Sequence, residues 1–88
     1  ASNEYYNVVD MTALQGRVIT PIFKDQRRGD FKVISFFAKK ARGAMSDYLV
    51  RHRISEPEGL KEFKGLGYRF NPNLTSDDNW VFTRKEAA

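Results

Sequence analysis

Apolar positions change their period along the chain, and each change marks an element. From Arg17 to Lys24 the β-formers Val18, Ile19, Thr20, Ile22 and Phe23 dominate, and Pro21 among them pushes the strand to a sheet edge or a bulge. Asp25-Gln26-Arg27-Arg28-Gly29-Asp30 is a turn-rich link, after which Phe31 to Phe36 resumes as a strand, so the pair predicts a β-hairpin. The period then becomes helical over 37–53. At about 100° per residue, Phe37, Ala38, Ala41, Ala44, Met45, Tyr48, Leu49 and His52 fall on one apolar arc. Ser55-Glu56-Pro57-Glu58 fits a capping box with Pro57 in the first turn, which predicts a second short helix over 56–64, stopped by Gly65. Tyr68 to Phe70 and Trp80 to Arg84 alternate as two last strands, with Tyr68, Phe70, Trp80 and Phe82 on one face. A short helix over 2–9, capped by Ser2, precedes the whole. The order hairpin, two helices, hairpin predicts an α+β fold: a small mixed or antiparallel sheet with the 37–53 helix and the shorter 56–64 helix packed on it, all in one domain over 1–88.

The polar side of the main helix carries the candidate chemistry. Lys39, Arg42, Ser46 and Arg53 lie opposite the apolar arc, with Gly43 and Val50 beside them and no carboxylate among them. Asp47 is four residues from Arg51, a spacing that pairs the two. In a helix starting at residue 37, Lys39 and Lys40 stand in the first turn, where the macrodipole disfavours cations and a bound anion would offset the cost. Gly43 costs about 1 kcal/mol relative to Ala inside a helix, and leaves room for a phosphate backbone or another chain segment to approach. Lys39, Lys40, Arg42, Gly43 and Arg53 are therefore the expected anion- or nucleic-acid-binding residues; the alternative is a solvated helix face.

Charge and composition sharpen this picture. A net charge of +4 favours polyanion partners. The absence of cysteine excludes disulfides, thiol catalysis and Cys-ligated metals. No apolar run approaches the length of a membrane span. His52, the single histidine, falls on the apolar arc and is expected in the core. Asp77 and Asp78 lack the spacing of a calcium loop and are expected to cap a loop. Arg27 and Arg28, at the hairpin tip between Asp25 and Asp30, read as solubilising residues. Lys64-Gly65-Leu66-Gly67 is similar to the hairpin of helix-hairpin-helix DNA binders, but a strand pattern follows where that motif needs a second helix. No Gly-rich phosphate loop follows a strand and no Ser-His-Asp arrangement can be assembled. No catalytic residue, cofactor or metal ligand is assigned, and the oligomeric state is left open.

Phe31-Lys32-Val33-Ile34-Ser35-Phe36-Phe37-Ala38-Lys39-Lys40-Ala41-Arg42-Gly43 resembles the signature of the bacterial YaaA family of peroxide-stress-response proteins. Ala1 to Tyr5, Ile19 to Asp25, Arg53 to Leu60, Gly67-Tyr68-Arg69-Phe70 and Trp80-Val81-Phe82-Thr83-Arg84 resemble further family segments in the same order. With no initiator Met, the chain reads as the C-terminal part of a longer protein. The resemblance implies a cytoplasmic bacterial protein that protects against oxidative damage, limits free iron and binds DNA, with Lys39, Lys40, Arg42 and Gly43 matching the family's basic motif. Two other roles stay open: a structural domain whose basic stripe docks on the missing N-terminal region, and half of an active-site cleft for an anionic substrate.

Overall fold

The computed structural model describes residues 12–14 and 16–85; the helix expected over 2–9 lies outside them. β1 (Thr12–Leu14), β2 (Arg17–Arg27), β3 (Asp30–Lys32), β4 (Arg69–Phe70) and β5 (Asn79–Arg84) form one sheet in the order β1-β2-β5-β4, with β3 also paired to β2. The fold is α+β and the sheet is mixed. β2 and β5 run parallel, from Thr20 opposite Asn79 to Asp25 opposite Arg84, and every other pairing is antiparallel.

β2 is longer than the sequence pattern suggests. Only Arg28 and Gly29 form the turn into β3, with φ of 52° and 87°. A two-residue hairpin of this kind needs positive φ at both central residues, which glycine adopts without strain. Asp25, Gln26 and Arg27 therefore belong to the strand and pair with Lys32, Phe31 and Asp30. The second strand of the hairpin ends at Lys32 rather than Phe36. Pro21 has a consistent place: β1 covers β2 up to Ile19 and β3 from Asp25 onward, so the stretch between has no partner on that edge among the described residues. Thr20 donates its N–H towards the β5 side, to Asp78 O at 2.8 Å, so by alternation the absent N–H of Pro21 falls on the open edge and breaks no rung.

The main helix, α1, spans Ser35–Arg51, two residues earlier at each end than the apolar period indicated. Ile34 supplies the N-cap backbone and accepts from the Ala38 N–H at 2.8 Å, so Phe36 is helical. At the other end Arg53 has φ of 51°, its N–H donates to Val50 O, and the Ile54 N–H reaches back to Leu49 O at 3.0 Å. That paired return is a Schellman stop, with Arg53 in the left-handed position usually held by glycine. His52 is consequently exposed at the helix end, against Tyr48 at 5.0 Å between ring centroids, and is not a core residue. The pairing of Asp47 with Arg51 is present at 2.8 Å.

The second short helix, expected over 56–64, is a 3₁₀ helix over Pro57–Glu62. Its N-cap is Glu56 and no side chain caps it, so the capping box does not form. Tight i to i+3 packing sets Gly59 against Ile54, where a Cβ would sit 2.7 Å from Ile54 Cγ2. Phe63 then leaves in an extended conformation and enters the core. A second 3₁₀ turn, Gly65–Gly67, leads to β4, so a strand stands where a helix-hairpin-helix would place its second helix.

Alternation decides the two faces of the sheet. Ile19, Pro21, Phe23 and Asp25 of β2, with Trp80 and Phe82 of β5, point inward and are buried. Phe23 packs against Phe82 at 5.4 Å, Tyr68 at 5.2 Å and Phe63 at 6.0 Å between centroids. The small Ala38 and Ala41, with Met45, let α1 lie close over this layer.

One charged group lies inside it. Asp25 is buried, accepting the Tyr68 hydroxyl on Oδ1, and Nε and the ion-paired guanidinium of Arg84 on Oδ2, each at 2.7 Å. Arg84 also donates to Leu66 O at 3.0 Å and lies over the Tyr68 ring, 4.4 Å from its centroid. Burial, then the hydrogen bond to Asp25 and its negative charge, push the Tyr68 phenol well above its ordinary range, with Arg84 opposing. The unfolded phenol loses its proton near pH 10 while the folded one keeps it. The unfolded state then binds fewer protons, so this contribution is complete below about pH 10 and is lost as pH rises above it. Tyr68→Phe should lower stability at pH 7 by about 1–2 kcal/mol and flatten the decline above pH 10; urea unfolding followed by circular dichroism at pH 7 to 11 measures both.

Candidate nucleic-acid interface

Lys39, which lies opposite the apolar arc, is exposed, and so is Lys40. Because α1 begins at Ser35, they stand in its second turn rather than its first, where the macrodipole penalty is weaker. No acidic residue occupies the first turn, and Asp47, further along, is held by Arg51. Lys40 sets its ammonium 5.1 Å from the Phe36 ring centroid, and Lys39 is three residues before Arg42, a neighbouring position on the helix surface. Arg42 is half-buried and lines a cavity of about 190 Å³ with Pro21, Phe23, Val33 and Ala38, against the open edge of β2.

Gly43 is exposed on the outward ridge, and a Cβ built there meets nothing within 4 Å. The space that the missing side chain leaves is open. Arg53 departs from the expected stripe. The last helical residue, Arg51, already lies roughly 18 Å along the axis from Lys39, and Arg53 has turned off the helix into the left-handed position. It lines a shallow hollow with Ile54, Ser55, Glu56 and Gly59, where a carboxylate shares the space. The structure thus gathers Lys39, Lys40, Arg42 and Gly43 on the first half of α1 and leaves Arg53 out.

Arg27 joins the same end of the molecule. Its guanidinium lies 5.9 Å from the Phe37 ring centroid, and that of Arg84 lies 5.1 Å from it. Phe36 meets Phe37 edge-on at 5.7 Å and is 65% exposed. Asp25, which sequence reasoning placed beside Arg27 as a neutralising neighbour, is turned into the core toward Arg84. The signal was the alternation Ile19, Pro21, Phe23, Asp25: continued one rung past the expected turn, it sends Asp25 inward.

A family model described as "Peroxide stress protein YaaA" matches residues 1–74. UPF0246 proteins of Cellvibrio japonicus, Tolumonas auensis and Neisseria gonorrhoeae are 55%, 51% and 49% identical over 86 residues, 98% of this chain. The chain belongs to the YaaA (UPF0246) family. It spans about a third of the length of these curated relatives. The basic segment of α1 thus sits within a family segment, and in the relatives about two thirds of the chain lies beyond the matched part. No helix among the described residues is long and apolar enough to cross a membrane.

Two substitutions test how the helix is set. Arg53→Gly relieves a left-handed backbone and should raise unfolding free energy by about 1 kcal/mol. Gly43→Ala, in open space inside the helix, should add about another 1 kcal/mol. Chemical denaturation of both variants, read against the parent, measures these gains.

Proposed function

We propose that this chain supplies part of a nucleic-acid interface in a YaaA-family peroxide stress protein, holding the phosphate backbone without reading bases. One observation carries the reading: Lys39, Lys40 and Arg42 cluster on the first half of α1 beside the Arg27-Arg28 hairpin tip, with no carboxylate in the helix's first turn. Cations on flexible stems, arranged over a convex helix and a loop tip, suit phosphates spaced along a strand. The open space over Gly43 allows a backbone to come close. The family's description as a peroxide stress protein supports a role in protecting DNA under oxidation.

A second reading has its own support. Phe36, Gly43 and Val50 recur every seven residues on the outward ridge of α1, with Phe36 65% and Val50 77% exposed. Such a line, with a glycine at its centre, suits close packing of another helix. In this reading the ridge docks against the part of the relatives' chain that lies outside the matched third.

Fluorescence anisotropy with a labelled duplex at two salt concentrations tests the proposal. Lys39→Glu with Lys40→Glu should weaken binding at least about tenfold and reduce the salt slope by about two phosphate contacts. Affinity and slope unchanged in that variant would reject the interface. If Val50→Ser and Phe36→Ser leave DNA binding intact but abolish association with the remainder of a full-length relative, the ridge is a docking surface as well.

A further inference from the structure

The face of the sheet turned away from α1 carries a second basic site, distinct from the helix in position and in shape. β2, β5 and β4 set Lys24, Thr83 and Arg69 side by side, because Lys24 is opposite Thr83 and Thr83 is opposite Arg69 in the two registers. Cross-strand partners share a face, so all three point outward, and Lys85, two residues beyond Thr83, follows on the same side. Gly67, Arg69, Thr83 and Lys85 line a cleft of about 480 Å³ there. That lies in the size range of small-ligand pockets. Among the described residues, the same-face neighbours of Thr83, namely Gln26, Asn71 and the buried Val81 besides the cations, include no carboxylate.

The hydrogen bonding around Thr83 gives the cleft a direction. Asn71 Oδ1 accepts the N–H groups of Asn73 at 3.1 Å and Leu74 at 3.3 Å, which fixes the orientation of its amide. Its Nδ2 then donates to Thr83 Oγ1 at 3.3 Å. With its oxygen engaged as an acceptor, the Thr83 hydroxyl has its proton left to give. Asn71 thereby acts as a positioning residue for that hydroxyl. The cleft thus presents the cations of Arg69 and Lys85, with Lys24 beside them, and one oriented O–H donor. Its described lining offers donors and no acidic acceptor, the complement of an oxyanion.

We propose that this cleft binds a terminal phosphate group, the dianionic end of a phosphomonoester. A backbone phosphodiester carries one charge and two ester arms, and suits the convex surface of α1 better than a concave pocket. The dianion fits where the cations of Arg69 and Lys85 and the Thr83 hydroxyl line one cleft, with Lys24 beside Thr83. Arg69 grips the phosphate oxygens with its planar fork, Lys85 and Lys24 balance the second charge, and Thr83 donates to one oxygen. The phosphate can belong to a small metabolite or to the phosphorylated end of a nucleic acid, and the two share this chemistry.

Titration of the ¹⁵N-labelled chain with inorganic phosphate, at ionic strength held constant with sodium chloride, tests the site. Saturable shifts are expected at the amides of Gly67, Arg69, Thr83 and Lys85, and the same spectra report the fold of each variant. Arg69→Gln should weaken binding about tenfold or more, Thr83→Val several-fold, and Thr83→Ser should keep it, since serine retains the hydroxyl. A 5′-phosphorylated oligonucleotide that competes where its unphosphorylated counterpart does not assigns the site to nucleic-acid ends; competition by glucose 6-phosphate alone assigns it to metabolites. Shifts that never saturate, shifts equalled by sodium chloride, or affinity unchanged in Arg69→Gln and Thr83→Val would overturn the proposal. Lys39→Glu with Lys40→Glu should leave this titration unaltered, which separates it from the helix surface.

Discussion

The ion pair between Asp25 and Arg84 is the constraint around which the rest of this fold is arranged. The two residues are register partners at the end of the parallel β2–β5 pair, which joins segments nearly sixty residues apart in sequence. A buried carboxylate is tolerated only when its lone pairs are met, and here Tyr68 meets one oxygen while Arg84 meets the other. Removing one partner from such a pair costs about 3–5 kcal/mol because the other charge is left stranded. Slipping β5 by one residue would carry Arg84 to the outer face and leave Asp25 unpaired. The pair therefore contributes register more than net stability. Arg84 extends the constraint outward: it holds Leu66 O, fixing the turn before β4, and it lies over Phe37, tying the first turn of α1 to the same point.

This explains which parts of the fold were legible in the sequence. The α+β class, the main helix and the closing hairpin follow from local period, and Phe70 does meet Trp80 and Phe82 as the alternation of those strands requires. The ends of elements were less legible, because they depend on backbone geometry that composition only hints at. Ser35 and Phe36 have β-like neighbours, yet Ile34 caps the helix through its backbone alone. Arg53 sits in a conformation that usually selects glycine, so nothing in its chemistry announces a helix stop. The parallel pairing was out of reach of local pattern, since its only trace is the polar Asp25 in an apolar alternation and a distant Arg84 to match it.

The candidate surface divides along the same line. Lys39, Lys40 and Gly43 all lie off the apolar arc, so their exposure was readable. Arg42 leans to the β2 edge and Arg53 leaves the helix, because their positions depend on the start and stop of α1 rather than on its period. Of the two carboxylates that flank Arg27 and Arg28 in sequence, Asp25 is the one the core uses, while Asp30 stays at the tip opposite Arg27.

A sheet of this thickness cannot present one continuous basic surface. Inward positions of β2 and β5 hold the core under α1, and outward positions hold Lys24 and Thr83, with Lys85 just past the end of β5, so the helix cations and the sheet cations face opposite directions. Stacked layers stand about 10 Å apart, which puts the two surfaces beyond reach of a single straight duplex. Shape separates them further: α1 carries Lys39 and Lys40 on an exposed helix surface, whereas Arg69, Thr83 and Lys85 line a cleft. Repulsion between the two groups is screened over this distance at physiological salt, where the Debye length is about 8 Å. The cations of α1 and those of the outer sheet face therefore act as two separate groups.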